Sequence, residues 1–219
     1  MGCAGGHTSL ALGGVMEALD VGILTEWLTR AAQRFGAEQA HLCDLDAAIG
    51  DGDHGANLAR GFAAVATKMA GAETASGLFK MVGMTLIGTV GGASGPLYGT
   101  LFIEMGKEAA NHATLDQSAW AQVLAAGLAG VMARGKARPG DKTMIDALAP
   151  AVKAMTGAAD LSTALASAAA AARLGAAETI PLIAHKGRAS YLGDRAVGHQ
   201  DPGATSLAML LAVLAELVG

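Results

Sequence analysis

The sequence predicts a single all-α domain of antiparallel helices, and three observations carry that expectation. Apolar residues recur at helical spacing, beginning with Ile23, Leu24, Trp27, Leu28, Ala31 and Phe35 on one face. No run alternates apolar and polar residues between hairpin signals, so a sheet is not expected. Hydrophobic residues make up 52% of the chain but aromatic ones only 4%, so Ala, Leu, Val and Met must fill the core. Alanine is the best helix former, and small side chains let helices approach closely. A chain of 219 residues is long enough to bury one substantial core.

In order along the chain, residues 1–18 are expected to form a disordered extension and residues 19–219 the domain. After the first helix, helices are expected near 37–46, 55–70, 75–90, 96–112, 116–133, 142–157, 161–178 and 203–218. Pro96 suits the first turn of its helix, with Ser94 as a cap. Asp141 is expected to cap a turn entering the helix near 142, where core and cap roles are expected for Lys142 and Met144, with a ligand contact as the alternative. The alanine-rich stretch 164–172 keeps a face through Leu161, Leu165 and Ala168, which favours a tightly packed helix over low complexity. Asp201 stands where an N-cap belongs for the last helix. The connections are short, which makes neighbours antiparallel.

The formal net charge of −4 argues against a nucleic-acid surface. Cys3 and Cys43 offer neither a disulfide framework nor a zinc pattern, in keeping with a reducing, cytoplasmic setting. Mean hydropathy is +0.40, and residues 81–103 between Lys80 and Glu104 carry no charge. Length alone would allow a membrane span. Gly88, Gly91, Gly92, Ser94, Gly95, Pro96 and Gly99 break its middle, so two buried helices around a functional loop are expected instead. No Lys or Arg precedes Arg30, so the charged start of a signal peptide is missing. Met1-Gly2 resembles a myristoylation start, but Gly6 replaces the required Ser or Thr.

Four conspicuous loops, 46–54, 90–96, 134–141 and 185–203, combine glycine with polar or charged groups. Alternate loops of an up-and-down bundle gather at one end, so a ligand site there is geometrically natural. The first loop holds Asp46, Asp51 and Asp53 with Gly50, Gly52 and Gly55. Carboxylates this close repel unless a cation lies between them. Hard cations such as Mg²⁺ take carboxylate and phosphate oxygens, so one or two ions holding a polyphosphate is the functional reading. The plainer reading is a solvated acidic turn. Gly50, Gly52 and Gly55 also fit a dinucleotide fingerprint, but a helix rather than a strand precedes them and Asp51 and Asp53 would repel a pyrophosphate. An EF-hand fails because Ala56 stands at its glycine position and Phe62 at its glutamate position. Gly130, Gly135 and Lys136 nearly match a P-loop, but Ala137 replaces the metal-binding hydroxyl.

Glycines before the helix near 96 leave N–H groups free for an anion, unless they make a plain turn. The 185–203 segment is long for a structureless loop and carries His185, Lys186, Arg188 and Arg195. An arginine there suits bidentate binding of a phosphoryl group; a surface ion pair is the alternative.

Taken together, several ordered segments are similar to one family. They are Asp46, Asp51-Gly52-Asp53-His54-Gly55 and Asn57; Gly91-Gly92-Ala93-Ser94-Gly95-Pro96; Arg134-Gly135-Lys136 and Pro139-Gly140-Asp141-Lys142-Thr143-Met144; Lys186-Gly187-Arg188-Ala189-Ser190-Tyr191-Leu192-Gly193; and Gly198 through Ser206. From about residue 20 onward the chain resembles the nucleotide-binding L subunit of bacterial dihydroxyacetone kinase. That family often has Ala where Gly52 stands, which removes no ligand. The resemblance implies a barrel of about eight antiparallel helices with ADP or ATP at one end, one helix fewer than the periodicity gives. It implies two Mg²⁺ ions on Asp46, Asp51 and Asp53. It places His54, Gly55, Ala56, Asn57, Ala93, Ser94, Gly135, Met144, Arg188, Asp201, Pro202 and Gly203 around the nucleotide, with Arg188 as the catalytic charge.

The resemblance also implies partners. A separate K subunit would hold dihydroxyacetone. A phosphohistidine-carrying M subunit of the phosphotransferase system, fed from phosphoenolpyruvate, would recharge a retained ADP. The activity would be that of a phosphoenolpyruvate-glycerone phosphotransferase subunit, with no nucleic acid and no membrane involved. Alternatives are an ATP-exchanging kinase subunit for another small ketose and a nucleotide-dependent module that docks on a transcription regulator. A fatty-acid kinase role is disfavoured, since there the domain sits in a longer chain.

Overall fold

The computed structural model describes residues 17–219. Its helices are α1 (Val21–Ala37), α2 (Gln39–Ile49), α3 (His54–Lys68), α4 (Ala75–Thr89), α5 (Ser94–Ala109), α6 (Gln117–Gly135), α7 (Ile145–Ala154), α8 (Leu161–Glu178) and α9 (Pro202–Val218), with a 3-10 segment over Arg188–Ala196. The nine α-helices are those that the apolar periodicity predicts. Five starts are set by side-chain caps: Asp20, Thr74, Asp116, Asp160 and Asp201 each accept a backbone N–H three residues on.

Four expectations need correction. Strands β1 (Ala18–Leu19) and β2 (Leu115–Asp116) pair antiparallel, Ala18 opposite Asp116. Two residues each are too few to leave an alternating pattern, so the sequence could not announce them. Ala18, placed in the extension, is therefore paired, while residues 1–16 lie outside the described residues. Ser94 does not cap α5; it is the first residue of that helix, and its hydroxyl turns to His54. Asp141 does not cap α7 either. It accepts from Arg138 N at 3.0 Å and closes the preceding turn, while Asp146 accepts from Gly140 N and Thr143 N.

Packing runs from α1 to α3, then through α4, α5, α6, α7 and α8 to α9, and α9 returns to α1; α2 lies against α3 and α9. The few aromatic residues are concentrated where these helices meet. Trp27, Phe79, Phe102 and Trp120 form one cluster with ring centroids 5.8–6.4 Å apart. Trp27 Nε1 donates to Leu210 O at 2.8 Å, tying α1 to α9. Residues 81–103 form parts of α4 and α5 around a short turn, as expected, and no helix among the described residues is long and apolar enough to cross a membrane.

Gly55 shows how closely α3 is set on α2. A Cβ there would stand 2.0 Å from Gln39 O and 2.9 Å from its carbonyl carbon. Backbone cannot give way as a flexible side chain can. Gly55→Ala is expected to cost about 2–3 kcal/mol by overpacking, which lowers the melting temperature by several degrees in a domain of this size. Thermal unfolding followed by circular dichroism measures this. An unchanged midpoint would mean that the two helices part freely.

Candidate functional site

At one end of the helices a cleft of about 380 Å³ opens. Its wall is drawn from all four glycine-bearing loops and from the N-termini of α3, α5 and α9, so the predicted convergence is present. The volume lies in the range of small-molecule and cofactor sites.

The aspartates form the acidic side. Helix α2 runs on to Ile49, three residues past its predicted end, and so carries Asp46 on its last turn. Gly50 follows with no room for a side chain, since a Cβ would fall 2.2 Å from Asp46 Oδ1. Gly52, at φ +75°, turns the chain back so that Asp51 and Asp53 face Asp46. Each aspartate offers one carboxylate oxygen, and the three oxygens lie within 4.8 Å of one another. Asp46 Oδ2 is also held by the first N–H groups of the next helix, accepting from Asp53 N at 2.9 Å and His54 N at 3.2 Å. Arg188 Nη1 contacts Asp51 Oδ2 at 2.7 Å. Three carboxylates with one arginine leave excess negative charge, and an all-oxygen donor set matches a hard divalent cation. The residues therefore fit Mg²⁺.

Behind the aspartates lies a buried polar chain. His54 Nδ1 is 3.1 Å from Ser94 Oγ, His54 Nε2 is 2.9 Å from Ser206 Oγ, and Tyr98 OH is 2.7 Å from Ser206 Oγ. Ser206 also donates to Gly203 O at 3.1 Å. With its one proton used there, Ser206 accepts from both His54 Nε2 and Tyr98, and Ser94 donates to Nδ1. Burial holds the His54 pKa below its ordinary value against the opposing pull of Asp46 and Asp53, so the ring is neutral with its proton on Nε2. Burial likewise keeps Tyr98 a phenol.

Asp201 caps α9, accepting from Ala204 N at 2.7 Å, and lines the cleft. Burial pushes its pKa up to about 7, while the Ala204 N–H bond pulls the other way.

Of the residues expected around the nucleotide, His54, Ala93, Ser94, Gly135, Met144, Arg188, Asp201, Pro202 and Gly203 line the cleft. Gly55, Ala56 and Asn57 do not. Gly55 is the contact point of α3 on α2, Ala56 is half-buried beside it, and Asn57 lies beneath Gly91 and accepts from Arg60. Gly55 and Ala56 belong to the first turn of α3, where backbone N–H groups lack partners within the helix. The rejected P-loop match also resolves structurally: Gly130 lies mid-helix in α6, with Glu104 beside it. Sequence reasoning assigned no role to the apolar wall of Ile49, Leu97, Val131, Ala137 and Ile145, because such residues look like ordinary core. Arg134 and Lys186, noted in the motifs but given no role at the nucleotide, also line the cleft.

Residues 48–216 match the DAK2 domain. The chain is 44% identical over 198 residues to the "PEP-dependent dihydroxyacetone kinase, ADP-binding subunit DhaL" of Escherichia coli (strain K12), covering 88% of this chain and 94% of that one. It is 43% identical over 202 residues to the "PTS-dependent dihydroxyacetone kinase, ADP-binding subunit DhaL" of Lactococcus lactis subsp. lactis (strain IL1403), covering 91% and 99%. Among solved structures, it is similar to the dihydroxyacetone kinase from C. freundii in complex with AMP-PNP and Mg²⁺, with a TM-score of 0.71 and 28% identity over 99% of this chain and 37% of that one.

Proposed function

The chain belongs to the DAK2-domain family, and on that premise we propose that it is the ADP/ATP-binding subunit of a dihydroxyacetone kinase. The observation that carries the reading is the meeting of Asp46, Asp51 and Asp53 with Arg188 at the mouth of one cleft. Residues 19–219 would act as one nucleotide-binding domain. The reading includes a barrel of about eight helices, with α2 as the extra one; the succession of contacts from α1 through α3 to α9 and back to α1 supports it.

In this reading Asp46, Asp51 and Asp53 hold two Mg²⁺ ions, whose chemistry is to offset the negative charge of the phosphate oxygens. The N-terminus of α5 at Ala93 and Ser94 presents backbone N–H groups to a phosphate. Ser94 is steadied by neutral His54, which Ser206 and Tyr98 hold in turn. Leu97, Val131, Met144 and Ile145 give the base an apolar wall. Arg188 meets the phosphoryl group in flight. A hydroxyl of dihydroxyacetone, held by a separate K subunit, gives up its proton to a base on that subunit and bonds to the terminal phosphorus as the bond to the bridging oxygen breaks and ADP is left. That ADP stays bound and regains a phosphoryl group from a phosphohistidine on an M subunit, fed from phosphoenolpyruvate in the cytoplasm. The relatives' names, with "ADP-binding", "PEP-dependent" and "PTS-dependent", support this cycle.

Melting curves test the metal-bridged site. A ligand that binds only the folded form adds about 2.7 kcal/mol at a hundredfold excess over its Kd. Mg²⁺–ADP should raise the melting temperature, and EDTA should remove most of the gain. Equal melting of the nucleotide-loaded protein with and without EDTA would contradict it.

A further inference from the structure

Lys142 carries two unfavourable features at one position. Its side chain is buried, with the residue 1% exposed, and its backbone is left-handed at φ +59°. Such costs persist only where surroundings compensate for them. Lys142 Nζ points into a nest of backbone carbonyls: Thr179 at 2.9 Å, Ile180 at 3.5 Å, Leu182 at 3.1 Å, Ala196 at 2.8 Å and His199 at 2.6 Å.

These acceptors fall into two groups. Thr179, Ile180 and Leu182 follow the C-terminus of α8, where carbonyls lack helical partners and a cation is favoured. Ala196 is the last residue of the 3-10 segment, and His199 lies three residues beyond it. Arg188 stands between the two groups, on the loop they bound. Two further bonds close the same neck: Gly198 N donates to Ile180 O at 2.8 Å, and Asp201 N donates to Thr179 Oγ1 at 2.9 Å. His185 N donates to Asp141 O at 3.1 Å, beside Lys142 itself.

We propose that Lys142 is a positioning residue that clasps the two feet of the Arg188 loop and thereby fixes where the guanidinium stands over the cleft. Without the ammonium, five carbonyl dipoles converge on a space that no donor fills, and the feet separate. Burial holds the Lys142 pKa below its ordinary value, against the upward pull of Asp201. The structural half of the proposal stands by itself; its kinetic half rests on the phosphoryl-transfer reading given above.

The test compares the full chain with Lys142→Met, which keeps the length of the side chain and removes its donors. Amide hydrogen exchange should quicken by roughly tenfold or more across 180–199 and stay unchanged in α4, α5 and α6. Single-turnover transfer should fall toward that of Arg188→Ala. Adding Arg188→Ala to Lys142→Met should then slow it by less than about threefold, because both changes remove one function. A general loss of stability would instead multiply the two effects and quicken exchange everywhere. Lys142→Gly is the second variant, since glycine accepts the left-handed backbone and removes the donors without strain; its loop should exchange faster in the same way. Unchanged protection of 180–199 in the variants that fold, or fully multiplicative rate losses, would overturn the clasp. Loss of protection in a protein whose wild type neither binds nucleotide nor transfers phosphate would sustain the clasp and overturn the kinase reading instead.

Discussion

Arg188→Ala is expected to slow transfer of phosphate to partner-bound dihydroxyacetone by roughly two to three orders of magnitude, the scale of losing one preorganised charge at a reacting group. Mg²⁺–ADP binding should weaken far less. The Arg188 side chain is 64% exposed and its one ion pair is with Asp51, so the fold hardly depends on it. In the proposed mechanism its charge counts most when negative charge moves between donor and acceptor oxygens. Interactions made mainly in the transition state lower turnover more than binding when they are lost. Single-turnover transfer with purified K and M subunits measures this. Near wild-type transfer by the variant would leave Arg188 as a surface residue.

Asp51→Ala is expected to weaken Mg²⁺-dependent nucleotide binding on the order of a hundredfold, with unchanged helix content. The three carboxylate oxygens lie within 4.8 Å of one another, so removing one lowers their repulsion in the metal-free protein. In EDTA the variant should therefore melt no lower than the wild type, while with Mg²⁺–ADP it should melt lower. This crossing separates a metal site from an acidic turn, in which the substitution would act alike under both conditions. Calorimetry showing unchanged Mg²⁺–ADP affinity would remove Asp51 from the site.

Much of the fold was legible because its helices keep a regular apolar face, as α8 does through Leu161, Leu165 and Ala168. The aspartates were legible because they lie close in sequence and glycine breaks the helices around them. Their setting was less so. Asp and Gly at 46–50 look like a turn, yet α2 continues to Ile49 because the N–H groups of α3 take up Asp46 from across the gap. Contacts at long separation left no trace. Ser206 meets His54 across 152 positions, and Lys142 finds acceptors 37 to 57 residues away. The packing of Gly55 on α2 and of Asn57 under Gly91 was hidden for the same reason.

The central claim is that the converging loops hold a magnesium-bridged nucleotide. Native mass spectrometry of the purified protein, before and after EDTA and then after titration with Mg²⁺–ADP, tests it most directly. The account predicts a species heavier than the bare chain by one ADP with its Mg²⁺, stripped by EDTA and restored by the titration. A bare chain that takes up no ADP at saturating Mg²⁺ would contradict it.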